Sequence, residues 1–153
     1  MNAELKQQLK NKDFEIIRQL RSNSRQTLTE ISKKTHIPIT TLYDKLKLYE
    51  KNTIIKHTSI LDFTKLGFNA KTQIYLKTTN QQRDRLKGFL TNHDNVNNVC
   101  LLSNDYDFSV EGIFEDVEKV REFMDIVENS FEVVKQQIVF VAKDIKKEGF
   151  FVN

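Results

Sequence analysis

The densest collection of chemically useful side chains lies between positions 39 and 47, where Ile39, Thr40, Thr41, Tyr43, Asp44, Lys45 and Lys47 stand almost side by side. Hydroxyls, an aromatic ring, a carboxylate and ammonium groups at that density can exchange hydrogen bonds with base edges and neutralise phosphates. Leu42, Leu46 and Tyr49 recur among them at helical spacing, so the stretch reads as an amphipathic helix with the polar set turned outward. Solvation is the ordinary fate of such a face, and its meaning depends on the elements around it.

Catalytic chemistry is scarce elsewhere. His36, His57 and His93 fall at no metal-ligand spacing, and neither a Gly-rich phosphate loop nor a serine elbow is present. Cys100 is the single cysteine, which excludes an intrachain disulfide and a cysteine-based metal cluster within one chain. Neither a metal nor a cofactor is expected, and the chain does not read as an enzyme.

The elements that position the polar face can be read outward from it. Leu28, Ile31 and Thr35 give a preceding helix, and Thr27 with Glu30 three residues later is a capping box for its start. His36-Ile37-Pro38 breaks the pattern: His36 must take a sharp turn that glycine would take more easily, and Pro38 suits the opening of the next helix. The pair is a helix-turn-helix. Upstream, residues 13–22 form another helix with Phe14, Ile17 and Leu20 on one face, Ile16 beside them and Asp13 at its positive end. Arg18, Arg21 and Arg25 are expected near its surface, and residues 1–12 form a helical lead-in through Leu5 and Leu9. Downstream, a turn at 51–53 and a β-branched, extended run over 54–61 read as a wing.

Asp62 to Gly67 reads as one capped helical turn, after which the pattern changes. Ala70, Thr72, Ile74 and Leu76 alternate with Lys71, Gln73, Tyr75 and Lys77, as a half-buried strand requires. A helix over 81–92 carries Leu86, Phe89 and Leu90. A hairpin follows, with strands 96–103 and 107–114 around the turn 104–106, then a helix with Val117, Val120, Phe123, Met124 and Val127, then a strand over 133–142. Strand, helix, strand, strand, helix, strand is the ferredoxin-like order, with two helices on one sheet face. The other face, bearing Tyr75 and Val139, is left open and predicts a homodimer. The fold class is α+β: a winged helix-turn-helix over residues 1–58, a linker strand and turn over 59–68, a ferredoxin-like βαββαβ domain over 69–143, and a tail over 144–153 that is expected to fray.

Charge supports this division. Residues 1–60 carry twelve Lys and Arg against six Asp and Glu, while the remainder carries twelve against fifteen, so the overall charge of +3 conceals a basic front and an acidic back. A basic front half attracts a polyanion and releases its counterions. Nothing at the N-terminus resembles a signal peptide and no apolar run approaches membrane-spanning length, so a cytoplasmic location without membrane association is expected.

These residues, in order and spacing, resemble the Lrp/AsnC family, also called feast/famine regulatory proteins. The matching pieces are Asp13 with Ile16-Ile17 and Leu20, Arg25-Gln26-Thr27 with Glu30-Ile31, Thr41-Leu42 with Lys45-Leu46-Lys47, Ile54-Ile55, Leu66-Gly67-Phe68 and Asp105-Tyr106-Asp107. The resemblance implies a regulator of transcription that binds double-stranded DNA, dimerises through its sheets, commonly builds octamers and often responds to an amino acid. It places DNA contacts at Arg25, Thr40, Thr41, Tyr43, Asp44, Lys45, Lys47 and Lys56, and an effector at Asn104, Asp105, Tyr106, Asp107 and Gln136. Four departures stand out: Asp44 where a basic residue is common, Asn52-Thr53 where the wing favours glycine, Asn104 in place of the ligand-loop glycine, and Gln136 and Ile138 where the last strand usually has threonines. Asp44 can accept from a cytosine amino group or pair with a neighbouring lysine, and Asp105 and Asp107 are also ordinary turn residues. Siroheme decarboxylases reuse the same fold and are the enzyme alternative; an architectural DNA-binding protein of low sequence preference is a further one.

Overall fold

The computed structural model describes residues 11–103 and 105–152; the lead-in expected over the first residues lies largely outside them. The chain forms two compact units, one running to Ile60 and regaining the chain from Lys146 onward, the other spanning Leu61–Ile145.

In the first unit, α1 covers Asn11–Ser22, α2 Leu28–Thr35 and α3 Ile39–Asn52. Ile16, Ile31, Ile37, Leu42 and Tyr49 are buried together, with Ile17, Leu20, Leu28 and Ile54 packed around them. The inward face of α1 is therefore centred on Ile16 and Asp13, both buried, rather than on Phe14. The capping box forms as its spacing predicts. Thr27 Oγ1 accepts from the Glu30 amide at 3.2 Å while Glu30 accepts from the Thr27 amide at 2.7 Å. Two orphan donors at the start of an eight-residue helix are thereby satisfied. His36 closes α2 in the left-handed region, φ 54°, and its amide donates to Ser32 O. Ser32 Oγ in turn donates to Ile37 O at 2.7 Å, fixing the turn that sets α3 against α2.

The extended run after α3 does not become a strand. Thr53 and Ile54 amides both donate to Tyr49 O at 2.7 Å, and the following residues up to Leu61 join no ladder among the described residues. β-branched residues favour extended backbone, but a strand also needs a partner for its amides, and the sequence pattern carries no information about one. Ile55 is left fully exposed.

The tail, expected to fray, instead returns to α1. Arg21 Nη2 donates to the backbone oxygens of Glu148 at 3.2 Å and Phe150 at 3.3 Å and pairs with the Glu148 carboxylate at 3.1 Å. The Phe151 ring meets Phe14 edge-on at 5.4 Å, with the Arg18 guanidinium 5.6 Å above Phe151. Glu148 and Phe151 take positive φ, 48° and 64°. Backbone of that kind costs on the order of 1–2 kcal/mol per residue and persists where contacts over-determine it.

In the second unit a 3-10 turn at Phe63–Leu66 is capped by Asp62 and stopped by Gly67 at φ 92°. Four antiparallel strands follow, β1 Ala70–Thr78, β2 Val96–Leu101, β3 Phe108–Phe114 and β4 Val133–Phe140, in the order β2-β3-β1-β4. Helices α4, Arg83–Asn92, and α5, Val117–Ser130, supply Leu86, Leu90, Val120, Phe123, Met124 and Val127 to a core shared with Ala70, Ile74, Leu76, Phe108, Val110 and Phe114. Burial along β1 alternates without a break, as its sequence predicts. Register places Gln73 opposite Val139 and Glu111, and Tyr75 opposite Gln137 and Ser109, so these residues share the face away from the helices.

Candidate nucleic-acid interface

Helix α3 buries Leu42 and Tyr49 and leaves Ile39, Thr40, Thr41, Tyr43, Asp44 and Lys47 exposed. Thr40 and Thr41 sit in its first turn, where Pro38 offers no side-chain cap and the unpaired amides carry the positive end of the helix dipole. Tyr43 and Lys47, one turn apart, meet with the ammonium 4.4 Å from the ring centroid, and contact with the Tyr43 side chain raises the Lys47 pKa. The face thus presents hydroxyls and helix-end amides at one end and a cation held on an aromatic ring at the other. That set can donate to phosphate oxygens and base acceptors and can pack against a thymine methyl.

Lys45 stands apart from this group. Its ammonium pairs with Asp13 of α1, and the same carboxylate oxygen accepts from the Tyr49 hydroxyl at 2.6 Å. Asp13 is 4% exposed and Lys45's side chain 32%. Burial first, and then the hydrogen bond to Asp13, push the Tyr49 phenol well above its ordinary pKa, so it remains a donor throughout the working range. Sequence reasoning assigned Asp13 only to the helix dipole and Lys45 to phosphates; their meeting across 32 residues had no local signal. Arg25 and Lys56 are exposed. Arg25's amide donates to Asn23 Oδ1 at 3.0 Å, which shapes the turn before α2. Arg18 and Arg21 are engaged by Glu15 and by the tail.

Of the described effector candidates, Asp105 and Tyr106 share Lys135, whereas Asp107 and Gln136 are engaged elsewhere. Asn104 lies outside the described residues. Asp105 pairs with Lys135, and with Lys77 at 3.3 Å, and these two cations hold its carboxyl below the usual range. Tyr106 lies 5.6 Å from Tyr75, with Lys135 at 4.7 Å above its ring and its hydroxyl 3.4 Å from Gln137 Oε1. Asp107 turns inward instead: it is 9% exposed, accepts from the Thr78 amide at 2.9 Å and pairs with Arg83 at the start of α4. Gln136 donates to Glu128 Oε1 at 2.6 Å, beside a shallow depression also lined by Val133, Val134 and Lys135. Lys77, Lys135 and Arg83 were not anticipated. Among the described residues no group of His, Cys, Asp and Glu could hold a metal ion, and no helix is long and apolar enough to cross a membrane.

Comparison with known proteins fits the front unit first: the winged helix-turn-helix DNA-binding family matches residues 9–56. The HTH-type transcriptional regulator FL11 of Pyrococcus furiosus is 27% identical over 137 residues, covering 89% of this chain and 90% of its own. Among solved structures, an AsnC family transcriptional regulator from Agrobacterium tumefaciens superposes with a TM-score of 0.80 at 18% identity, covering 90% of this chain and 93% of its own. The chain is a DNA-binding transcriptional regulator with the fold of Lrp/AsnC-type regulators. The same fold is found in a transcriptional regulator of Neisseria meningitidis solved as its L-Met complex, with a TM-score of 0.84 at 20% identity over 91% of this chain and 93% of that one. In the matched winged helix-turn-helix domain, α2 and α3 take the positions of the helix-turn-helix pair, whose second helix is the one that enters the major groove in such motifs.

Proposed function

We propose that this regulator is sequence-specific, acts in the cytoplasm as a homodimer or a larger assembly such as an octamer, and lays paired recognition helices in successive major grooves about 34–36 Å apart. The observation that carries the reading is the outer face of α3, where Thr40, Thr41, Tyr43, Asp44 and Lys47 are exposed over a buried Leu42 and Tyr49. Thr40, Thr41 and Tyr43 would meet base edges and thymine methyls, Asp44 a cytosine amino group, and Lys47, Arg25 and Lys56 phosphates. Self-association is supported by the sheet face carrying Tyr75 and by Val139, 41% exposed, since an apolar residue on an open sheet is better covered.

Footprinting on the DNA upstream of the chain's own gene tests the reading: a protected, pseudo-palindromic site supports it, and uniform binding without a footprint would leave an architectural role. Lys47→Ala should weaken binding to every duplex and lower the salt slope by about one unit. An unchanged slope would remove Lys47 from the contact set.

An amino acid is the effector we favour, since the N. meningitidis regulator of the same fold was solved with L-Met. Lys77, Lys135 and Tyr106 could receive its carboxylate, and Asp105 its ammonium group. Gln136 would contribute only by leaving Glu128. Isothermal titration with a panel of amino acids decides this, and no heat from any of them removes the claim.

A further inference from the structure

We propose that Asp13 is a positioning and specificity residue: it pins α3 through Tyr49 and, by holding Lys45, withholds one cation from the DNA backbone. The inference rests on the DNA-binding reading of α3 and adds a residue that lies on another helix. Two observations carry it. The carboxylate of Asp13 is buried while accepting from both Tyr49 and Lys45, which sit one turn apart on α3. The Lys45 side chain, partly exposed, lies at the flank between the buried stripe and the outer face, within reach of solvent once released.

A buried carboxylate with two donors on one helix fixes that helix in rotation as well as position, because sliding or turning α3 would break a charge-assisted bond. Rotation decides which of Thr40, Thr41, Tyr43 and Asp44 faces a base edge. The second consequence is electrostatic. Phosphate contacts raise affinity for every sequence alike, so a lysine paired inside the protein removes sequence-blind affinity without touching base readout. Asp13 thus favours discrimination twice over.

The test measures binding of the full chain to a random-sequence duplex across salt, for wild type, Asp13→Asn, Lys45→Gln and the double variant. Asn retains an oxygen that can accept from Tyr49 but frees the Lys45 charge. Asp13→Asn should steepen the log–log salt slope by about 0.9, equivalent to a further ~3.5-fold change in affinity between 50 and 200 mM salt. Lys45→Gln alone should leave the wild-type slope unchanged, and the double variant should return to it. On a footprinted site, Asp13→Asn should also lower the ratio of specific to random affinity. A loss of slope in Lys45→Gln would show Lys45 already on phosphate and overturn the proposal, as would an unchanged slope in a folded Asp13→Asn. Should Asp13→Asn fail to fold, the Lys45→Gln slope still decides. Absence of any binding by the wild-type chain would instead strike the DNA reading of α3.

Discussion

Asp107→Ala separates an anchoring role from a ligand role in the β2–β3 corner. Asp107 is almost fully buried, and its two oxygens accept from the Thr78 amide and from Arg83. Truncation strands the Thr78 amide, in a residue only 5% exposed. An unsatisfied buried donor costs about 1–3 kcal/mol. Arg83 is 46% exposed and can return to solvent, so its release adds little. A loss of roughly 2 kcal/mol in a unit of this size corresponds to a fall of about 8–16 °C in the transition carried by the sheet unit. Differential scanning calorimetry of the full chain, with circular dichroism to identify the strand signal, reads it directly. Were the transition to stay within about 2 °C of wild type while the heat of amino-acid binding vanished, Asp107 would be a ligand group and the anchoring argument would be refuted.

Removal of the cap should act on the other unit: Thr27→Ala loses the hydroxyl that accepts from the Glu30 amide and should cost about 1 kcal/mol, read as a lower melting temperature of the helical signal. Glu30 itself is held below its ordinary pKa, first by the Thr27 amide and then by the Thr27 hydroxyl, so its stabilisation is complete above the unfolded pKa and disappears as pH falls through the lower folded value; acid titration should show a smaller loss of stability in Glu30→Gln than in wild type. Gly112→Ala should destabilise the sheet unit by about 1–3 kcal/mol, because the new Cβ would stand 2.4 Å from the buried Phe114 ring and 2.8 Å from Thr72 Oγ1; an unchanged urea midpoint would show that the ring can move aside. Phe151→Ala should speed hydrogen exchange in α1, since the ring contact with Phe14 is worth about 0.5–1.5 kcal/mol; equal protection would mean that the tail only rests there.

Much of this protein is written locally in its chain. The Thr27–Glu30 box, the left-handed His36, the Asp62 cap with Gly67 and the strict alternation of β1 each follow from two to nine consecutive residues, because hydrogen-bond closure and side-chain periodicity act over that distance. The outward set on α3 follows for the same reason, since burying Leu42 and Tyr49 leaves Thr40, Tyr43, Asp44 and Lys47 no other side to occupy. What packing alone decided were the partnerships between distant charges. Lys45 found Asp13, Asp107 turned to Thr78 and Arg83, and Arg21 reached the tail 127 residues away. A polar residue's type sets what it can bond but not which distant group the fold brings within hydrogen-bonding reach, and the same principle left residues 54–61 extended yet joined to no ladder among the described residues. Composition and spacing thus determined the elements and the face they expose, while the tertiary fold determined which cations that face retains.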